Sequence, residues 1–275
     1  PITLNLPKSF ASLSASATDA DGEIVSYLWS KVSGPSAAVI ENPGSSSTMV
    51  GPLEAGEYVF QVMVTDDKGL TGVDTVSVNV LPAQVTSIVI QPNNNPSEVH
   101  IWGNNVNKDQ SGVNVVEIGG VAWTHYGDPI AMRAALKFDL SGIPSSATIV
   151  GAKLTLYSNP TPLNGLTAEA ANSGTDNSLL IQGITSSWTP NAVTWINQPP
   201  ATSAGEILIP HTDKPFLDLV DINVTDLVKN MIANDANYGF LIRLKTEAVY
   251  TSRIFCSSKY TDAAKHPKLE IIYSN

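Results

Sequence analysis

The sequence predicts an all-β protein built as two successive sandwiches, a smaller one and then a larger jelly-roll-like one carrying one short helix. Three observations predict it. Short runs of alternating apolar and polar residues are separated at roughly even spacing by turn-rich segments, the pattern of antiparallel sandwiches. Charged residues make up only 15% of the chain and apolar residues 43%, and the charge missing from the usual quarter is replaced by Ser, Thr, Asn, Gly and Pro. A break near "LPAQV" at 81–85 splits the strand-rich sequence in two, and 275 residues suit one large or two ordinary domains.

Residues 1–83 form the first unit. Its strand candidates are "ASLSASAT", "IVSYLWSKVS", "AAVIE", "EYVFQVMVTD" and "DTVSVNVL", separated by "DADG", "NPGSSS" and "DDKG". Turn residues of this kind punctuate strands for backbone reasons. The second unit, 86–275, opens around "SIVIQP". Its clearest strands are "RAALKFDL", "IVGAKLTLYS", "SLLIQGI", "GFLIRLKT", "SRIFCSS" and "KLEIIYS". A helix is expected at "VTDLVKNMIAN". Thr225 is its candidate cap, Leu227, Val228, Met231 and Ile232 share one face, and Asn234 or Asn237 can help end it. Strand segments and one helix over this length suit a single jelly roll.

Bulk charge narrows the function. A net charge of −10 argues against general binding to a nucleic-acid backbone, which needs a basic footprint, and against adsorption to anionic membranes. No apolar run approaches the ~20 residues needed to span a bilayer, and no signal peptide is visible. The chain begins abruptly in strand-like sequence, "PITLNLP", and reads as a piece of a longer protein. The single cysteine, Cys256, excludes an intrachain disulfide and reads as a small core hydrophobe.

The chain has three arginines, all in predicted strands of the second unit. In "AMRAALKFDLSGIP", Ala134, Leu136, Phe138 and Leu140 alternate toward a core, so Arg133, Ala135, Lys137 and Asp139 face away. In "GFLIRLKT", Phe240, Ile242 and Leu244 point inward and Arg243 and Lys245 outward. In "SRIFCSS", Ile254 and Cys256 form the expected inward pair, leaving Arg253 outward. If these strands neighbour one another, Arg133, Lys137, Arg243, Lys245 and Arg253 make a basic strip. Guanidinium groups bind carboxylate or sulfate in forked geometry and stack on flat faces. The alternative is cross-strand pairing with Asp139, Glu247 or Glu270.

Aromatics give a second candidate set. "IWGNN" and "AWTHYGD" place Trp102, Trp123, His125 and Tyr126 beside Gly, Asn and Asp in expected loops. Rings next to hydrogen-bonding groups suit a pyranose, which has an apolar C–H face and a hydroxyl rim; the alternative is packing at the edge of the core. Trp188 and Trp195, in "SSWTPNAVTWINQPP", read as a packed corner. Asp19, Asp21 and Asp67 are candidate ligands for a structural calcium, which takes several oxygens. The spacing is not that of an EF-hand, and a plain Asp-Gly turn remains the alternative. No cofactor is required. None of the four histidines falls in a metal-ligand spacing, no Gly-x-Ser-x-Gly elbow occurs, and His125 with Asp128 is the nearest approach to an acid–base pair.

Two family resemblances sharpen this. "ATDADGEIVSYLWSKVSGPSA" and "LEAGEYVFQVMVTDDKGLTGVDTVSVNV" resemble a PKD-type domain. The resemblance implies an immunoglobulin-like β-sandwich acting as a spacer, with Trp29 as its core tryptophan. "RAALKFDLSGIPSSATIVGAKLTLYS", "ITSSWTPNAVTWINQPP", "DINVTDLVKNMIANDANYGFLIRLKT", "FCSSKY" and "HPKLEIIYS" resemble a DNRLRE-type domain, a group placed among carbohydrate-binding modules. That resemblance implies a jelly roll and non-catalytic binding of polysaccharide, including acidic polysaccharide. The expected setting is a monomeric piece of a secreted or cell-surface, bacterial, multimodular protein, covalently joined to neighbouring modules, with no nucleic-acid partner and no membrane insertion. The competing expectation is a structural or adhesive surface module without a sugar site.

Overall fold

The structure, a computed structural model, describes residues 1–35, 38–92, 98–103, 110–112, 115–164 and 169–274. Its chain divides into two compact units, Pro1–Val85 and Thr86–Tyr273.

The first unit carries β1 (Ile2–Asn5), β2 (Ala11–Ser14), β3 (Ile24–Ser33), β4 (Val39–Ile40), β5 (Ser47–Gly51), β6 (Gly56–Asp66) and β7 (Thr71–Leu81). They form two sheets, ordered β1-β7-β6-β3 and β2-β5-β4. Strand β1 runs parallel to β7, Ile2 lying opposite Val78. Period-two alternation gives each strand one buried side, and Leu13, Trp29, Val50, Tyr58, Phe60, Val62, Val78 and Val80 fill the interior. Trp29 is the tryptophan of that core: its ring is buried, and its Nε1–H donates to the Ser45 carbonyl at 2.9 Å. A buried indole needs such an acceptor. This is the immunoglobulin-like sandwich the sequence pointed to.

The second unit carries β8 (Val85–Ile90), β9 (Glu98–Gly103), β10 (Gln110–Gly112), β11 (Glu117–His125), β12 (Asp128–Leu136), β13 (Thr148–Leu156), β14 (Asn172–Ser173), β15 (Leu179–Ile184), β16 (Ala201–Ile209), β17 (Leu219–Asn223), α1 (Thr225–Ala233), β18 (Phe240–Leu244), β19 (Thr251–Cys256) and β20 (Lys268–Ser274). Nine strands form one sheet along β14-β19-β11-β12-β18-β15-β16, with β9 pairing both β12 and β10. Four form the other, β17-β13-β20-β8. The main core draws on both sheets and the helix, with Ala134, Leu136, Leu154, Leu156, Ile181, Ile242, Phe255 and Ile271 all fully buried. This is the larger β-sandwich expected, and the alternation read from 134–140 holds: Ala134, Leu136, Phe138 and Leu140 all enter that core.

Helix α1 buries Leu227, Val228 and Met231, and Ile232 packs against the same cluster. Asn234 is its C-cap. Thr225 is not the N-cap; that position is Val224. The Thr225 hydroxyl instead donates to Asn223 Oδ1 at 2.6 Å and accepts from the Ala152 amide at 2.9 Å, tying the helix to β13. Cys256 is fully buried. Desolvation pushes its thiol up to about 11, so it is no nucleophile at neutral pH.

A long stretch covers what the alternation left as an open face. Ala135 and Leu241, on the opposite parity from Ala134 and Ile242, are buried beneath a second cluster that includes Val99, Ile101, Ile184 and Val193, flanked by Trp188 and Trp195. The Trp188 indole N–H is fixed to the Tyr238 carbonyl at 2.7 Å. The segment "SSWTPNAVTWINQPP" therefore closes over the sheet, as its reading as a packed corner anticipated.

Candidate functional site

The basic residues part company. Arg133 grips Glu247 with two nitrogens, Nε to Oε1 at 2.7 Å and Nη2 to Oε2 at 2.9 Å. Its Nη1 donates to Gln198 Oε1 at 2.9 Å, and its guanidinium lies 4.6 Å from the centre of the Trp195 ring. Arg133 thus takes the pairing with Glu247 that was the alternative, with Glu247 supplied by the segment between β18 and β19 rather than by a neighbouring strand. Arg243 donates from Nε to Gln182 Oε1 at 3.2 Å and from Nη1 to the Leu244 carbonyl at 3.1 Å. Arg133 and Arg243 do meet, on a depression of about 420 Å³ shared with Gln182 and Gln198. Lys137 lines a different cavity, of about 600 Å³, with Asp139, Asp235 and Asn237. Lys245 is exposed.

Arg253 corrects the sequence reading. It was expected to face outward, yet it is fully buried. The inward residue of its strand is Phe255, in the main core, so Arg253 shares the parity of Phe255, and Ile254 points to a separate cluster with Val121 and Ala171. Arg253 Nη1 reaches the Pro210 carbonyl at 3.0 Å and Asn177 Oδ1 at 3.4 Å, while among the described residues Nε and Nη2 have no partner. Burial pulls its guanidinium down to about 10. Every residue of β19 is buried, which removes the polar alternation that would have shown its direction.

The aromatic residues, by contrast, converge. Trp102, Trp123 and His125 lie on strands β9 and β11 rather than in loops, and only Tyr126 sits in a turn. Trp102 lies opposite Met132 on β12, and Met132 lies opposite Val121 on β11, with Ile130 opposite Trp123. Directly opposed residues share a face, so Ile130 and Met132 make an apolar floor between the rings. His125 meets Trp102 edge-on at 5.2 Å between centroids and Tyr126 at 4.3 Å. Trp123 meets Tyr250 at 5.0 Å.

Local backbone chemistry presents two of these rings. β11 and β12 are joined by Tyr126-Gly127 alone, with His125 opposite Asp128. Both turn residues have positive φ, 51° and 89°, the twist that matches a two-residue hairpin. Glycine adopts this freely and tyrosine does not. Tyr250 is held at φ 70°. Such conformations cost about 1–3 kcal/mol each and cluster at functional positions. They leave Tyr126 96% and Tyr250 53% exposed.

Behind the rings lies a cavity of about 270 Å³, lined by His100, Trp102, His125, Met132 and Asn164 among others. His100 is only 4% exposed, and among the described residues its Nε2 has no hydrogen-bond partner. Desolvation lowers its imidazole to about 4, so it is neutral at ordinary pH. Asn164 is anchored from behind: Glu117 Oε1 accepts from its backbone N–H at 2.9 Å and from Nδ2 at 2.5 Å. The sequence reading missed His100 and Tyr250. His100 carried a signal, since "VHIW" puts it two residues before Trp102, on the same side of an extended strand. Tyr250 carried none, because it reaches Trp123 from a distant loop.

Of the candidate metal ligands, Asp19 and Asp67 converge on Gly22, Asp67 Oδ1 and Asp19 Oδ2 lying 2.1 and 2.6 Å from where a Cβ there would sit. Asp21 is ion-paired to Lys68. Asp67 Oδ1 accepts from the Glu23 amide at 3.3 Å, and Asp19 Oδ1 from the Ala20 amide at 2.9 Å. Among the described residues no three His, Cys, Asp or Glu side chains come together as a metal site. No helix of the described residues is long and apolar enough to cross a membrane.

Comparison with known proteins places both units. Residues 1–80 match the model of the K319L-like PKD domain, and residues 121–273 that of carbohydrate-binding module family 96. The mouse dyslexia-associated protein KIAA0319-like protein is 35% identical over 101 residues, which is 37% of this chain and 9% of that protein. Among solved structures, the PKD domain from KIAA 1837 protein is 37% identical over 30% of this chain and 79% of its own, with a TM-score of 0.28. A structure of carbohydrate-binding modules from the β-sandwich superfamily spans 100% of this chain and 86% of its own at 14% identity and a TM-score of 0.23. With more than half its length matched, the chain belongs to carbohydrate-binding module family 96, with a PKD domain preceding the module.

Proposed function

We propose that the second unit binds polysaccharide without catalysis, through the aromatic face formed by β9, β11 and the turns at Tyr126 and Tyr250. The observation that carries this reading is the convergence of Trp102, Trp123, His125, Tyr126 and Tyr250 over an apolar floor. Two of those rings are held out by left-handed backbone. Aromatic faces accept the C–H face of a pyranose while neighbouring polar groups meet its rim. Affinity per site is modest, because sugar hydroxyls exchange water hydrogen bonds for protein ones at little net gain. Tethering to neighbouring modules of a secreted or cell-surface protein raises the effective concentration of whatever they carry, with the PKD unit as spacer.

The test is retardation of the chain in native gels containing soluble polysaccharides. The double variant Tyr126→Asn, Tyr250→Asn keeps residues that tolerate positive φ and removes both exposed rings. It should lose retardation while melting within about 1 °C of the parent. A parent chain retarded by no polysaccharide would leave a structural or adhesive module. A second reading, an acidic chain, is favoured by Arg243, whose nitrogens reach, among the described residues, only Gln182 and the Leu244 carbonyl at the depression it shares with Arg133. Arg243→Gln should then abolish retardation in acidic gels selectively.

A further inference from the structure

We infer that Gln182 and Glu206 are positioning residues for Arg243. They hold its guanidinium at the depression beside Arg133 without neutralising it, so that its charge stays available to a carboxylate of an acidic chain. This rests on the second reading above and adds to it the residues that act through the arginine.

Two arginines line that depression, and their partners differ in kind. Arg133 is gripped by the Glu247 carboxylate on two nitrogens, so its charge is already met. Among the described residues no carboxylate pairs with Arg243. Its Nε donates to Gln182 Oε1 at 3.2 Å and its Nη1 to the Leu244 carbonyl at 3.1 Å, both neutral acceptors. A guanidinium has five N–H donors in a rigid plane. Two contacts fix that plane and leave donors over, on a side chain that is only half-buried.

Gln182 serves Arg243 only with its amide turned one way. An amide carries an acceptor oxygen on one side and two donors on the other; turned over, it would set N–H groups against the guanidinium. Glu206 decides the orientation. Its Oε2 accepts from Gln182 Nε2 at 2.7 Å, which keeps Gln182 Oε1 toward Arg243. A bulge puts Glu206 there. Ile181 and Gly183 pair with Ile207 and Thr202, so residues 203–206 stand against Gln182 alone, with Gly205 at φ 73°. An acid one residue removed orients the arginine, whereas an acid in contact would cancel it, as Glu247 does for Arg133.

The experiment measures retardation of the intact chain in polyuronate gels (alginate and polygalacturonate) for the parent, Glu206→Ala, Glu206→Gln, Gln182→Glu and Arg243→Gln. Bulk charge and positioning predict opposite signs. Removing an acid strengthens binding to a polyanion if net charge alone counts. Positioning predicts that Glu206→Ala weakens retardation about three- to tenfold. Glu206→Gln keeps an acceptor oxygen without the charge, and should be retarded at least as strongly as the parent. Gln182→Glu sets a carboxylate on the guanidinium and should lose as much as Arg243→Gln. Glu206 is exposed, so both of its variants fold; if Gln182→Glu does not, that pair carries the test. Glu206→Ala retarded as strongly as the parent, or Glu206→Gln no better than Glu206→Ala, overturns this inference and leaves the acidic reading intact. A parent retarded by neither gel, or Arg243→Gln retarded in full, overturns the acidic reading and this inference with it.

Discussion

Replacing Arg133 with alanine separates a binding arginine from a structural one. The side chain forms two charged hydrogen bonds to Glu247 and one to Gln198, and stacks on Trp195. Arg133 and Glu247 are 23% and 22% exposed at the side chain, so the pair is more shielded than a surface bridge, whose value is about 0–1 kcal/mol. The stack adds about 0.5–1 kcal/mol, and forked geometry strengthens the pair further. Truncation also leaves Glu247 half-buried without its cation. Together these give a loss of roughly 2–3 kcal/mol. For a domain of this size that is a fall in Tm of roughly 5–10 °C. Scanning calorimetry of the chain would follow the transition of the second unit. Glu247→Gln and the double variant complete a thermodynamic cycle, with an expected coupling of about 1–2 kcal/mol. A shift under about 1 °C for Arg133→Ala, or a coupling near zero, would refute this account and return Arg133 to the list of ligand-binding candidates.

Other outcomes follow from the same geometry. Arg253→Met should hold or raise stability, by up to about 3 kcal/mol, because a buried guanidinium with two unpartnered nitrogens gives way to apolar volume; a large loss in urea unfolding would mean the guanidinium is compensated. His100 has a folded pKa of about 4 against an ordinary 6.5, so the unfolded chain binds more protons between those values. Its contribution is whole above about pH 6.5 and falls by about 3 kcal/mol as pH drops to 4. Burial raises Glu98 and acts in the opposite sense, with stability lost as pH rises above the ordinary carboxylate range. The readout is therefore parent against His100→Phe, and parallel stability profiles from pH 4 to 7 would contradict the assignment. Gly120→Ala places a methyl 2.6 Å from the Leu244 amide nitrogen, and should cost about 1–3 kcal/mol. Gly142→Ala, with nothing within 4 Å, should be neutral in the same melting assay.

Much of the fold was legible because it rests on local periodicity. Two-residue alternation in "RAALKFDL" gave the inward set Ala134, Leu136, Phe138 and Leu140, and the pattern of Leu227, Val228 and Met231 gave the helix. Trp29 was expected in the core from the PKD-type resemblance, and it is buried there. The same rule failed at "SRIFCSS". Where both sides of a strand are buried, apolar residues appear at either parity, and a charged residue no longer marks the outside. Tertiary structure alone put Phe255 in the core and Arg253 with it.

The candidate site divides along the same line. Sequence determined which rings and charges were available but suggested loops for Trp102, Trp123 and His125; once they stand on β9 and β11, strand periodicity sets Trp123 with His125, and His100 with Trp102, on common sides. It also fixed the chemistry of the Tyr126-Gly127 turn. Only the tertiary structure decided that β12 lies between β9 and β11, bringing the two aromatic pairs together over Met132. It also brought Tyr250 onto Trp123, closed the 185–200 segment over Ala135 and Leu241, and gave Arg133 to Glu247 across 114 residues. The reason is physical: side-chain direction along a strand follows from bonds a residue makes with its own neighbours, whereas what covers or neutralises that side chain is set by register between segments far apart in sequence.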